Sequence, residues 1–122
     1  MKMAVCSQGT DIDSQVDSRF GRCPYFVIVD PETGRSEAVP NPGVSASGGA
    51  GVQSAQLLSG RGVDAIAVGN VGPNAVATLA AAGIKVYTGL GATVKETIDR
   101  YHAGRLVLCS NPTVTPHHGL RV

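Results

Sequence analysis

The chain has 122 residues, of which 43% are hydrophobic and 16% charged, with 10 Lys and Arg against 9 Asp and Glu. This length suits one domain over residues 1–122, and the composition is too apolar for a disordered chain. The near-neutral charge without a Lys/Arg cluster argues against a nucleic-acid or membrane-surface binder, and no apolar run approaches the roughly 20 residues that cross a bilayer.

The first third of the chain predicts a strand followed by a hairpin. Residues 2–7 are apolar and predict a short strand, whereas the polar stretch after them has no periodicity and predicts a loop. Residues 25–30 are rich in β-branched and aromatic side chains, which favour a strand. Residues 31–34 (Pro-Glu-Thr-Gly) predict a tight turn, so residues 35–40 return as the second arm of the hairpin.

Beyond a loop rich in Gly, Ser and Pro, helical and strand patterns alternate. The predicted helices cover residues 51–60, 73–82 and 93–103, and the predicted strands cover 64–69, 84–88 and a short last one at 106–109. The first of these helices places Val52, Ala55 and Leu58 on one face, and Thr93 with Glu96 forms a capping box at the start of the third. The tail from about residue 110 shows no pattern and is predicted to be irregular. Together these elements predict an α/β domain with a mixed sheet of about five strands, one of them antiparallel, and about three helices.

This topology gathers chemically interesting residues at one edge of the sheet. Cys6 ends the first strand and Cys23 directly precedes the second, so the hairpin places both at the same edge. The N-termini of the three helices meet there as well, because each helix follows a parallel strand or a loop from that edge. Ligands of open α/β sheets bind outside the carboxyl ends of the parallel strands. We therefore expect the functional site at this edge.

Much of the unusual content of 16 glycines lies in loops that precede helices. Glycine allows backbone amides to approach a ligand closely, and helix N-termini favour anions. Gly48, Gly49 and Gly51 are the predicted anion cradle, although no segment matches a known nucleotide-binding fingerprint. The alternative is that these are ordinary turn and cap glycines.

The segment Arg19-Phe20-Gly21-Arg22-Cys23 carries the densest chemistry. Arg19 and Arg22 can hold an anion and remain charged at physiological pH. A neighbouring cation favours the thiolate of Cys23, and thiolates are ligands of iron–sulfur and other soft metal clusters. Two alternatives remain open: Cys23 can be an inert thiol, and the arginines can pair with acidic residues of the same loop. Those residues are Asp11, Asp13 and Asp17.

Cys6 and the pair His117 and His118 are weaker candidate metal ligands. Cys6 can equally be a small buried strand residue, and the histidines can be part of a solvated tail. The odd number of cysteines, their wide spacing and the lack of an export signal indicate reduced thiols and a cytoplasmic protein. No zinc-binding spacing and no catalytic set are recognisable, so we do not expect an enzyme.

Several blocks of the sequence resemble the dinitrogenase iron–molybdenum cofactor biosynthesis family. The resemblance spans about residues 2–101 and is carried by the Arg-Phe-Gly-Arg segment and the blocks Asn41-Pro42, Gly48-Gly49-Ala50-Gly51, Gly72-Pro73-Asn74-Ala75 and Gly83-Ile84-Lys85-Val86-Tyr87. It implies a ribonuclease-H-like α/β domain without catalytic carboxylates. It also implies a role like that of nitrogenase members that carry iron–sulfur precursors of the cofactor between assembly proteins. Some relatives bind sulfide clusters containing molybdenum or copper, and this chain is similar to the short stand-alone members.

The sequence thus predicts a non-enzymatic carrier for an anionic metal–sulfur cluster or precursor, either iron–sulfur or molybdenum sulfide, bound transiently. Arg19 and Arg22 are the expected charge anchors and Cys23 the first candidate ligand, with Cys6 as a further one. The expected partners are cluster-assembly or acceptor proteins, and the protein itself is expected to be a monomer or a weak homo-oligomer. One alternative is a small-anion or nucleotide-sensing module that uses the same glycine loops. The other is a ribonuclease-H-like enzyme that depends on Mg²⁺.

Overall fold

A mixed sheet forms the centre of the protein. The computed structural model describes residues 1–42, 50–69 and 73–109, in which six strands and three helices follow one another along the chain. The strands are β1 (Met3–Ser7), β2 (Tyr25–Val29), β3 (Ser36–Pro40), β4 (Ala65–Ala67), β5 (Lys85–Thr88) and β6 (Val107–Leu108). The helices are α1 (Ala50–Gly60), α2 (Pro73–Ala81) and α3 (Val94–His102).

The strand order is β3-β2-β1-β4-β5-β6. Strands β1, β4 and β5 are parallel, β2 is antiparallel to both of its neighbours, and β6 is antiparallel to β5. The predicted α/β class, hairpin and three helices are confirmed, and the short last strand is present as β6. It adds a second antiparallel strand to the one expected from the sequence. The ribonuclease-H-like designation stays a prediction.

The hairpin between β2 and β3 closes through the predicted tight turn. The N–H of Gly34 donates to the carbonyl of Asp30 over 2.8 Å, and Gly34 has a positive φ of 77° that favours glycine. The carboxylate of Asp30 accepts the N–H of Glu32 at 2.9 Å. This bond is the main cause of the lowered pKa of Asp30.

The helices cover opposite faces of the sheet. One core cluster joins alternate residues of β1 and β2, among them Cys6 and Phe26, to Leu58 of α1 and Leu79 of α2. The other joins the intervening strand residues to α3; it contains Met3, Val5, Val27, Val29, Ala65, Ala67, Val94 and Ile98. All five residues of β1 are buried, as expected of a strand covered on both sides. We call these sides the α1–α2 face and the α3 face.

The buried side of α1 differs from the one predicted. Ser54, Ala55 and Leu58 are buried, whereas Val52 is 43% exposed. At 3.6 residues per turn, Val52 points away from the side that Ser54 and Leu58 share, so the predicted face was wrong at this position. In the described part of the chain, no helix has the length and apolar character needed to cross a membrane.

Candidate functional site

The connection between β1 and β2 folds over one edge of the sheet. The N–H of Asp17 donates to the carbonyl of Cys6 at 2.8 Å, and the N–H of Val16 donates to Ala92 at 3.1 Å. Within the connection, the N–H of Cys23 donates to the carbonyl of Arg19 at 3.0 Å. We call residues 17–24 the arginine segment. These bonds place it at the end of β1, where the topology predicted the site.

Asp17 and Arg19 form an ion pair with two points of contact. The Nε of Arg19 donates to Oδ1 of Asp17 at 3.0 Å, and its second guanidinium nitrogen donates to Oδ2 at 2.8 Å. The side chain of Asp17 is only 3% exposed, whereas that of Arg19 is 64% exposed. Hydrogen bonding from Arg19 lowers the pKa of Asp17 despite its burial. The ion-pair alternative therefore holds for Arg19, whose charge is balanced by a covered carboxylate.

Phe20 fixes the arginine segment to the core. Its ring is 4% exposed and lies 5.9 Å, centroid to centroid, from the ring of Phe26. Its edge also lies 3.7 Å from the position that a Cβ atom would take on Gly51, in the first turn of α1. Arg22 lies on the surface beyond this anchor. The pattern that signals this role is a phenylalanine between two arginines in an otherwise polar loop.

Both candidate cysteine ligands at this edge are completely buried. The thiol of Cys23 donates to the carbonyl of Phe20 at 3.4 Å. Cys6 lies in the same core cluster, and its pKa is raised well above the usual range, first by burial and then by a hydrogen bond with Cys23. Cys6 is therefore a neutral thiol at physiological pH. In this arrangement the arginine segment covers the thiols, and their roles as ligands stay predictions.

Asn41 is a site residue that the sequence did not reveal. Its side chain is buried and donates to the carbonyl of Cys23 at 2.9 Å, to that of Phe20 at 3.4 Å and to the sulfur of Cys23 at 3.6 Å. Its oxygen accepts the hydroxyl of Ser54, in α1, at 2.7 Å. Asn41 thus joins the arginine segment to α1. Asn41 belongs to one of the blocks that carry the family resemblance, but this block did not indicate what the residue does.

Two glycines of the loops before helices serve internal packing. A Cβ atom on Gly69 would lie 2.7 Å from the Cβ of Ser18, and one on Gly91 would lie 2.8 Å from Glu96. The N–H of Gly91 also donates to the hydroxyl of Thr97 at 3.1 Å. At these positions the alternative of ordinary structural glycine holds. Gly51 lies in the first turn of α1, whose N–H groups lack partners within the helix.

Four of the predicted site residues lie outside the part of the chain that the structure describes. They are Gly48, Gly49, His117 and His118. Within residues 1–42, 50–69 and 73–109, no group of three or more His, Cys, Asp or Glu side chains is arranged to hold a metal ion. The described residues offer exposed guanidinium groups and a helix N-terminus. These groups suit an anion held by charge and hydrogen bonds.

Comparison with known proteins identifies the chain's relatives. An uncharacterized protein of Methanocaldococcus jannaschii is 34% identical over 97 residues, which are 77% of this chain and 82% of that protein. The apo form of the orange protein from Desulfovibrio gigas is 39% identical and superposes with a TM-score of 0.89, covering 93% of this chain and 96% of that one. A NifB-like protein from Thermotoga is 42% identical, with a TM-score of 0.81 and coverages of 93% and 97%.

The family assignment agrees with the resemblance seen in the sequence. Residues 1–104 match the model of the dinitrogenase iron–molybdenum cofactor family. This range contains the arginine segment, strands β1 to β5 and all three helices. The matched region ends two residues after α3. The chain therefore belongs to the dinitrogenase iron–molybdenum cofactor family.

Proposed function

We propose that this protein is a non-enzymatic carrier for an anionic metal–sulfur cluster or precursor. The observation that carries the proposal is the arginine segment, which covers Cys6 and Cys23 and presents two guanidinium groups at its surface. They belong to Arg22 and to Arg19, which is 64% exposed although it is paired with Asp17. Family and structural neighbours suggest a small protein that binds a cofactor or takes part in its assembly. One structural neighbour, the orange protein, was solved as an apo form, that is, without its bound group.

Charge and backbone groups suit a cargo that must be released. Assembled metal–sulfide clusters carry negative charge, and guanidinium groups bind anions through several N–H donors at once. The first turn of α1, with Gly51, adds amide donors and a partial positive charge. A set of several thiolates would hold the cargo far more tightly. The proposed carrier hands its cargo to cluster-assembly or acceptor proteins, in nitrogenase cofactor assembly or a related process, and acts as a monomer or weak homo-oligomer.

Coordination by Cys23 requires a change in the arginine segment. The sulfur is completely buried and donates to Phe20 within the same segment. A metal of the cluster reaches this sulfur only when the segment lifts from the end of the sheet. The cargo is therefore first captured by charge at the closed surface. Ligation by Cys23 follows once the arginine segment has opened.

The test is anaerobic binding of tetrathiomolybdate, a small molybdenum–sulfide anion, and reconstitution with Fe²⁺ and sulfide. We expect Arg22→Ala to weaken thiomolybdate binding by about tenfold and rising salt to weaken binding to the wild type. Arg35→Ala is the matched control, because Arg35 lies at the opposite end of β2 and β3. Equal losses in both variants would overturn the charge-anchor assignment.

Two further measurements separate the remaining possibilities. Cys23→Ser is expected to leave the first capture of thiomolybdate intact and to reduce the yield of reconstituted iron–sulfur cluster. Undiminished reconstitution in this variant would remove Cys23 as a ligand. Thermal stabilisation by nucleotides or phosphate, without stabilisation by thiomolybdate, would favour the anion-sensing alternative.

A further inference from the structure

We propose that Asn41 is the positioning residue of the candidate site. It holds the arginine segment against α1 and so controls whether the segment is closed or open. The expected effect of Asn41 on cargo binding rests on the proposed function. Its expected effect on the arginine segment rests on hydrogen bonds alone. Asn41 follows β3, at a distance of 18 residues in sequence from Cys23.

The amide of Asn41 contacts two of the three buried residues of the arginine segment, Phe20 and Cys23. It donates to the carbonyls of Cys23 and Phe20, and the Cys23 sulfur lies at 3.6 Å from the same nitrogen. The backbone N–H of Asn41 donates to the carbonyl of Pro24 at 3.0 Å. The side chain and the main chain of Asn41 thus both hydrogen-bond to the end of the arginine segment. Buried donors and acceptors of this kind destabilise a structure strongly when their partners are removed.

The carbonyls of Cys23 and Phe20 determine which way the amide of Asn41 points, because a carbonyl oxygen can only accept a hydrogen bond. The Ser54 hydroxyl donates to Oδ1 of Asn41 at 2.7 Å, and both side chains are buried. The amide nitrogen of Asn41 therefore faces Cys23 and Phe20, which leaves Oδ1 to accept from Ser54. The contact therefore couples α1, whose N-terminal turn is a proposed anion site, to the segment that carries Arg22. Both surfaces are held in one relative position by this pair.

A positioning role predicts local opening, which differs from a loss of overall stability. When Asn41 is replaced by alanine, the carbonyls of Cys23 and Phe20 lose a donor, whereas the sheet keeps its ladder. Cys23 should then become accessible through motion of the segment while the rest of the protein stays folded. A merely structural residue would expose Cys23 only through global unfolding.

Thiol labelling resolves this difference in the protein without cargo. Cys6, Cys23 and Cys109 lie on three different tryptic peptides, so that mass spectrometry reports each separately. We expect Asn41→Ala and the milder Ser54→Ala to accelerate alkylation of Cys23 by about tenfold or more, with a rate that low urea concentrations do not change. Ile98→Val, on the α3 face, is the control. In this variant labelling should follow global unfolding and rise with urea.

The second measurement is the affinity of the variants for tetrathiomolybdate. Asn41→Ala and Ser54→Ala should each weaken its binding about fivefold or more, and the double variant should weaken it no further than the stronger single one, because both act through one contact. Unchanged Cys23 labelling, labelling that depends on urea as in Ile98→Val, or unchanged affinity would each overturn the positioning role. If the wild type does not bind thiomolybdate, the proposed function fails and labelling alone decides the role of Asn41.

Discussion

Ser18 lies directly against Gly69 at the end of β4. A Cβ atom on Gly69 would lie 2.9 Å from the Cα of Ser18 and 3.3 Å from its carbonyl oxygen. Backbone atoms cannot rotate away as a flexible side chain can. The absence of a side chain at position 69 therefore allows the arginine segment to rest on the end of the sheet.

Gly69→Ala should accordingly destabilise the protein by about 1–3 kcal/mol through overpacking. The measurement is the free energy of unfolding in urea. Gly60→Ala is the matched control, because nothing lies within 4 Å of the added atom and the residue is helical. We expect the control to be neutral or stabilising by up to about 1 kcal/mol. Equal destabilisation of both variants would show that the contact with Ser18 does not matter.

Asp17 should make the stability of the protein sensitive to acid. Its pKa is lowered in the folded state from the ordinary value of 3.8, mainly by the hydrogen bonds from Arg19. A carboxyl group with a lowered pKa stabilises the fold fully above its unfolded pKa, and this contribution disappears as the pH falls through the folded pKa. Urea unfolding from pH 7 to pH 2.5 should show a loss below about pH 4 that is smaller in Asp17→Asn.

Asp30, in the hairpin turn, also has a lowered pKa, so the acid profiles of the wild type and Asp17→Asn are measured beside that of a further variant. Asp30→Asn removes that contribution and leaves the ion pair of Asp17 intact. We expect Asp17→Asn to cost about 1.5–3 kcal/mol at pH 7, the usual range for a hydrogen bond to a charged group. An acid profile for Asp17→Asn parallel to that of the wild type would contradict the assignment.

Cys6 should produce the opposite dependence on the alkaline side. Burial and Cys23 raise its pKa in the folded state above the ordinary value of 9.0. The contribution of the neutral thiol is complete below the unfolded pKa and is lost as the pH rises towards the folded pKa, at about 1.4 kcal/mol per pH unit. The stability advantage of the wild type over Cys6→Ala, measured in urea, should therefore shrink between pH 8 and pH 10. A constant difference would argue against the raised pKa.

Thr93 should stabilise α3 as its N-cap. Its hydroxyl oxygen accepts the N–H of Glu96 at 3.1 Å, as the capping box predicted. Thr93→Ala is expected to cost about 1 kcal/mol, whereas Thr93→Ser keeps the acceptor and should cost a few tenths. Thermal or urea unfolding measures both. Equal costs would indicate that the methyl group, and not the cap, provides the stabilisation.

Local patterns predicted the fold because the relevant physics is local. The β-branched run of β2, the turn at Gly34 and the cap at Thr93 each involve neighbours in sequence. The sheet edge followed from the hairpin and the crossover connections. What the patterns could not specify is which face of α1 meets the sheet, since Val52 and Leu58 are similarly apolar.

The positions of the candidate residues relative to the sheet were predictable, but their contacts were not. Cys6 and Cys23 lie at the edge that the topology predicted, yet the hydrogen bond from Asn41 to Cys23 joins residues that lie far apart in the sequence. Likewise, the need for glycine at position 69 arises from Ser18, which lies more than 50 residues earlier in the chain. Such contacts leave no periodic signal. A glycine that admits a ligand and one that admits the protein's own backbone look the same in a single sequence.

The antiparallel pairing of β1 with β2 has a consequence for how such a site can diversify. The connection that contains the arginine segment starts and ends on neighbouring strands, so its two ends are held at fixed positions by the sheet. Its exposed positions, including Arg22, can be exchanged with little effect on strand pairing, provided that the anchors Asp17, Phe20 and Cys23 are retained. One scaffold of this kind can therefore present different surface groups by substitution within a single short connection, without any change to its core.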